Sequence, residues 1–245
     1  MKTYLLILFA LLFMQISFAQ QDTLQTNNEF QTIFNKSSKT KISGFGAVNM
    51  DFGSIENNFA FILGGEGAVL LNRKLYIGLY GRALVTLPKY KFKNPDFGNR
   101  LNIQRRGILD HGGLLLGYVF MPTKPIHLGF STRFGAGALG IVYSYEDYYY
   151  EDNYNDPNLY FPEDSYEFVF VITPQLELEM NLTNWFKFRV SAGYQYVTNA
   201  TVDVPIFQDG SIIIENGKIL KEELINSKNY RTPTFSAGFI FGWFK

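Results

Sequence analysis

The chain has no cysteine in its 245 residues. That excludes a disulfide framework and removes the thiol that a lipid-anchored amino terminus would need. An excess of one charge is also missing. Lys and Arg number 22, Asp and Glu number 22, and no basic stripe gathers the cations, which argues against a nucleic-acid partner. Histidine is nearly absent, with only His111 and His127 to serve as general bases. Past residue 16 no long apolar run remains, whereas a membrane-crossing helix needs about 20 apolar residues.

The one apolar run comes first, from Tyr4 to Ile16, behind Met1-Lys2 and ahead of Ser17-Phe18-Ala19. A positive start, a short apolar stretch and small residues before a polar continuation describe a secretory signal peptide. The expected organisation is a signal peptide at 1–19, a flexible periplasmic lead-in at 20–40 and a single barrel domain at 41–245. The lead-in is polar and without periodicity.

What the chain has in abundance is Phe (24), Gly (22) and Tyr (16), arranged in alternation. Eight segments after residue 40 place bulky apolar side chains on every second position, at about 41–52, 59–71, 75–87, 108–120, 126–142, 166–181, 186–196 and 234–244. In the seventh, Phe186, Phe188, Val190, Ala192, Tyr194 and Tyr196 alternate with Lys187, Arg189, Ser191, Gly193 and Gln195. Connections after the second, fourth and sixth segments are short. Of the others, 88–107, 143–165 and 199–233 are long, while 53–58 is brief. Alternating short and long connections between dyad-patterned strands predict an eight-stranded antiparallel up-and-down transmembrane β-barrel, with both termini at the periplasmic end. Pro174, inside the sixth strand, predicts a bulge or local break.

A secreted ligand carrier is the rival architecture, and the two differ in which side faces out. An eight-stranded interior is just wide enough for side chains or one small ligand. The many bulky side chains would overfill it, whereas Gly64, Gly78, Gly113, Gly117, Gly129, Gly135, Gly193, Gly238 and Gly242 on the opposite faces suit a crowded interior. The apolar side therefore faces lipid and the lumen is filled. The segments GGEGAVLLNRKLYIGLYGRAL (64–84), GGLLLGYVF (112–120), KPIHLGFSTRFGAGAL (124–139) and FVFVITPQLELEMNLTNWFKFRVSAGYQYV (168–197) resemble the small outer-membrane β-barrel family of Gram-negative bacteria, of broadly OmpX and OmpW type. The resemblance implies insertion by the barrel-insertion machinery and assigns no activity. Family barrels usually finish on an aromatic residue; here Phe244 is followed by Lys245.

Inward-facing charge is the main candidate for function. Glu66 and Arg82 lie at similar distances from the 72–74 turn, Glu177 and Glu179 face Arg189 and Lys187 across the 181–184 turn, and Arg133 neighbours the sixth strand. Paired charges in a lumen form an ion-pair plug; a gated or narrow conduit is the sharper alternative. His111 follows Asp110 near the outer rim, where a lipid-modifying enzyme would need its base, but adjacent strand residues point to opposite faces. No catalytic residue, metal site or cofactor is therefore assigned. The third outer loop carries Tyr145, Tyr148, Tyr149, Tyr150 and Tyr154 among acids, and the second carries Lys91 and Arg105 among further cations, so the two loops are expected to meet at the mouth as an interaction surface. Offsets at Asp152, Asp156 and Glu163 do not make a calcium loop, because Tyr154 and Pro157 stand where a ligand and a glycine are needed. Asp209-Gly210 and Asn216-Gly217 predict an extra outer hairpin.

The sequence thus predicts a monomeric outer-membrane barrel with a structural or surface-interaction role through its loops. Its expected partners are outer-membrane lipid, lipopolysaccharide and an extracellular protein or glycan. A narrow passive channel is the alternative, and a lipid-modifying enzyme centred on His111 the third reading.

Overall fold

The computed structural model describes residues 41–90, 103–145, 165–208 and 211–244. Its main sheet has eight long antiparallel strands: β1 (Ile42–Ile55), β2 (Asn58–Leu71), β3 (Leu75–Leu84), β4 (Ile103–Val119), β5 (Ile126–Tyr145), β6 (Ser165–Asn181), β7 (Phe186–Val197) and β8 (Thr232–Gly242). Each strand pairs with the next, and β1 pairs with β8, so the sheet closes on itself. Closure leaves no edge of unpaired backbone donors and acceptors.

Alternation sorts the side chains as the sequence analysis expects. Trp243 is 77% exposed on the outer wall, whereas Glu179 is 2% exposed inside. Phe59, Leu79, Leu128, Phe168, Leu176 and Phe235 also face outward. Aromatic rings gather at both rims of this apolar wall. At the end carrying the short turns Phe186 stacks on Phe241 at 5.1 Å and on Phe239 at 5.8 Å. At the other end Phe52 stacks on Phe61 at 5.5 Å, and Phe168 meets Phe170 edge to face at 5.0 Å.

Two features differ from the sequence reading, and a third narrows it. The first outer connection is only Glu56-Asn57, with φ of 51° and 62°, because Ile55 pairs directly with Asn58. Two successive positive φ values make the tight hairpin that matches strand twist. At Pro174 the expected local break is present but the alternative, a bulge, is not. The register between β6 and β7 is the same on either side of it, and only the ladder steps at Thr173 and Pro174 are missing. Proline lacks the donor for a ladder bond, but its exposed ring points away from the lumen and displaces nothing. Finally, the strands run further outward than the apolar pattern does. Arg105 and Tyr145 lie within β4 and β5 instead of in loops, with Arg105 paired to Tyr143 and Ile103 to Tyr145. Above an apolar belt both faces of a strand can be polar, so the hydrophobic pattern ends before the hydrogen-bonded ladder does.

The described part of the fourth outer connection forms strand pairs of its own. Thr201–Pro205 pairs with Lys221–Asn226, and a smaller hairpin, Ile214–Glu215 with Lys218–Ile219, turns at Asn216 and Gly217. The 3-10 turn Ser227–Tyr230, capped by the Asn226 side chain accepting from the Lys228 N–H, leads into β8. Val202, Val204, Ile225 and Tyr230 are buried, packing with Ile62, Leu109, Leu139, Ile141, Val169 and Val171 from the barrel. The outer mouth is thus filled by an apolar cluster.

Inside, tyrosines lie across glycines of neighbouring strands. Tyr76 pairs with Gly117, and a Cβ at Gly117 would collide with the Tyr76 ring. On the outer wall Gly65 has room, its nearest neighbour to an added Cβ being the Ala47 carbonyl at 3.6 Å. Gly117→Val should therefore lower stability by about 1–3 kcal/mol through overpacking. Gly65→Ala should leave it unchanged or raise it by about 0.5 kcal/mol. Urea unfolding of the refolded protein in lipid vesicles reads both, and equal effects would contradict the inward and outward assignment.

Candidate functional site

The described residues bury four carboxylates, Asp51, Glu66, Glu177 and Glu179, and four permanent cations, Arg82, Arg133, Lys187 and Arg189. Formal charge in the lumen therefore sums to zero before the two histidines are counted. Every one of these side chains sits at an inward position of its strand, and together they come from β1, β2, β3, β5, β6 and β7.

Register explains how they meet. Arg82 pairs with Gly64, and its side chain lies in the space that a Cβ there would occupy. From that position Nε donates to Asp51 Oδ2 at 2.9 Å and Nη2 to Glu66 Oε2 at 3.3 Å. Glu179 pairs directly with Arg189, whose Nε and Nη2 both donate to Oε1, at 3.0 and 2.8 Å. Lys187 Nζ takes the other oxygen at 3.1 Å, and His127 Nε2 lies 3.0 Å from it.

The two groups are joined across the axis. Arg133, on β5, reaches Asp51 on β1 at 3.1 Å and Glu66 on β2 at 3.5 Å. β5 and β1 stand four strands apart whichever way round the barrel is followed, so this pair ties opposite walls. Arg133 does neighbour the sixth strand, paired with Thr173 as the sequence reading has it, but its ionic partners lie on the far wall. Its long stem lets the guanidinium ignore the adjacent strand and cross the lumen. Arg189 Nη1 donates to Glu66 Oε1 at 2.5 Å and lies 3.4 Å from Glu177 Oε1. One connected network therefore runs from Asp51 to Lys187.

Neutral groups complete it. Glu177 accepts from the Tyr76 hydroxyl at 2.9 Å, from Ser131 Oγ at 2.6 Å and from Gln175 Nε2 at 3.1 Å. The Arg82 and Arg133 guanidinium carbons each lie 6.0 Å from the Tyr80 ring centre. Asp51, Tyr76, Ser131 and Gln175 were not singled out from sequence. Asp51 was within reach, since it shares the parity of the buried Phe45, Ala47 and Asn49. No pattern in the sequence marks Ser131 or Gln175 as ligands of Glu177.

His111 is buried with Nδ1 3.1 Å from the Tyr80 hydroxyl, whereas its neighbour Asp110 is exposed on the opposite face. The two do not form an acid–base pair. Among the described residues no group of His, Asp and Glu is placed to hold a metal ion. Lys91, Tyr148, Tyr149, Tyr150 and Tyr154 lie outside the described residues, as do the signal-peptide and lead-in segments.

Arg189 contacts three carboxylates, so removing its charge leaves buried anions without compensation. Arg189→Met should cost about 3–5 kcal/mol, the usual penalty for breaking a buried pair from one side. Lys187→Met should cost clearly less, because Glu179 keeps Arg189 and His127. Denaturant midpoints of the two variants in the same vesicles test the order; a costlier Lys187 variant would contradict the connectivity.

No protein-family model and no curated protein matches the chain. Among solved structures it is similar to Neisserial surface protein A, with 11% identity over 83% of this chain and 99% of that one and a TM-score of 0.38. It is similar to a major outer membrane protein of Thermus thermophilus, with 9% identity over 82% and 98% and a TM-score of 0.44. The attachment invasion locus protein Ail of Yersinia pestis matches at 10% identity over 82% and 97%, with a TM-score of 0.38. At these levels function has to be argued from the chain's own residues.

Proposed function

We propose that the protein is an integral outer-membrane barrel, sealed along its axis, that acts at its outer end as a structural element or a surface for an extracellular protein or glycan. The observation that carries this reading is the double closure of the lumen. Ion pairs tie opposite walls at mid-height, and the apolar cluster beneath the 201–226 hairpin fills the mouth. A solute would have to break both.

The apolar outer wall supports a lipid setting. Exposed Leu, Phe and Ile side chains cover the strands between two aromatic rims, which water would penalise and hydrocarbon accommodates. In this reading the short turns and both ends of the barrel domain face the periplasm, and the barrel is a monomer inserted by the cell's barrel-insertion machinery. The outer hairpin supports the surface role. Ile214, Ile219 and Leu220 stand exposed on it beside Glu215 and Lys218, an arrangement suited to contact with another molecule more than to folding of the chain itself.

Cell fractionation and gel mobility test the location. The protein should collect with outer membranes and migrate differently before and after boiling; recovery in the soluble periplasm would refute the reading. Planar-bilayer recording tests the seal, with no steady unitary openings expected. Val204→Asp places a charge in the buried cluster, so limited proteolysis should cut within 201–226 faster by about tenfold or more while the barrel's heat-dependent mobility persists.

A further inference from the structure

At the barrel end carrying the short turns lies a cavity of about 560 Å³. Leu70 and Phe244 line it together with Lys41, Arg73 and Lys187. Thr123, Thr183 and Asn184 add neutral donors at its edge. We propose that this cavity binds a phosphate group, and specifically that of an anionic phospholipid headgroup.

Among the described residues that line it, the charge is of one sign. The connections 72–74, 120–125 and 182–185 contain Arg73, Lys74 and Lys124 and no Asp or Glu. Glu179, which bonds the lining Lys187, is buried in the lumen and already holds Arg189, Lys187 and His127. Among the described residues neither Lys41 nor Arg73 has an ion-pair partner. Arg73 Nε is moreover buried with no hydrogen bond. Arg73 as a whole is half-exposed, so its guanidinium is within reach of an acceptor from outside the chain, which the shielded Nε lacks. Lys187 Nζ gives one bond to Glu179 and lies 4.2 Å from the Phe244 ring, which leaves donors for a further acceptor.

Phosphate fits this set better than a simpler anion does. It offers several acceptor oxygens at once, a planar guanidinium binds two of them, and hydroxyl and amide donors take the others. The cavity is larger than a free ion needs and has room for a phosphoglycerol group. Trp185 and Trp243 stand exposed on the outer wall beside the same turns, the position that indole rings take at headgroup depth. On the membrane placement proposed above, on which this inference rests, the cavity opens where lipid phosphates are concentrated. Free phosphate shares the chemistry and is the other source.

The test uses the full chain in a nonionic detergent, titrated calorimetrically with dihexanoyl phosphatidylglycerol, with dihexanoylglycerol, which lacks the phosphate, and with inorganic phosphate. Phosphatidylglycerol should bind saturably with one site and dihexanoylglycerol should not bind. In Lys41→Gln/Arg73→Gln the affinity should fall by about tenfold or more, as loss of charge-assisted bonds requires. Lys218→Gln on the outer hairpin should leave it unchanged. Displacement by inorganic phosphate identifies the phosphate group alone as sufficient, and lack of displacement identifies the whole headgroup; both support the site. Equal affinity in the double variant, or no saturable binding of either phosphate probe by the native chain, overturns it. Heat-dependent mobility verifies that the variants fold, and Lys41→Gln alone, outside the strand ladder, provides a milder variant. Fractionation tests the membrane location separately, so a failure here leaves that reading standing.

Discussion

Backbone hydrogen bonding in a medium without water is the constraint from which the rest of this molecule follows. Each unpaired N–H or C=O in hydrocarbon costs several kcal/mol, and only a sheet closed on itself satisfies all of them with strands. Closure with eight strands then fixes a narrow interior. Such an interior has room for side chains and little else, so the inward positions must be chosen to fill a cylinder without gaps. Glycines beneath Tyr76, Tyr80 and Arg82 are part of that solution, because a large side chain reaching across the lumen needs a bare patch of backbone to lie on.

The filling is of two kinds, arranged along the axis. Near the outer mouth it is apolar, with residues from the barrel wall and from the fourth outer connection meeting as in a soluble core. At mid-height it is ionic. Charges removed from water are costly one at a time, and the network answers that by giving each carboxylate several donors and by balancing four anions against four cations. An all-apolar lumen would be cheaper by transfer energy alone. The ionic one has directional bonds, and a guanidinium such as Arg133 that links opposite walls sets the register of strands that never touch.

The two ends of the barrel differ as a result. The outer end is covered by chain that folds over it, with its surplus apolar surface displayed on a hairpin. The opposite end is short-turned and positive, with donors that no acid among the described residues has claimed. The apolar belt between them is uniform by comparison, so it is at the ends that the molecule distinguishes one side of its surroundings from the other.

Strand number, antiparallel order and the facing of Phe188, Phe239 or Leu176 were legible in the sequence because dyad alternation is a local property. A residue's side of the sheet follows from its neighbours two positions away. The same rule placed Glu66, Arg82, Glu177, Glu179, Lys187 and Arg189 inside, and it applied equally to Asp51, where a stretch of small and polar residues hid it. Alternation was silent where the environment no longer separates the two faces, which is why the strands overran their expected ends at Arg105 and Tyr145. It also could not show the 201–226 hairpin packing into the mouth.

What the sequence determined by itself is the side on which each residue lies. What only the tertiary structure decided is which inward residues meet, as with Arg133 and Asp51, or Arg189 and Glu66. Those contacts depend on barrel diameter and strand stagger, and both are set when the last strand pairs with the first.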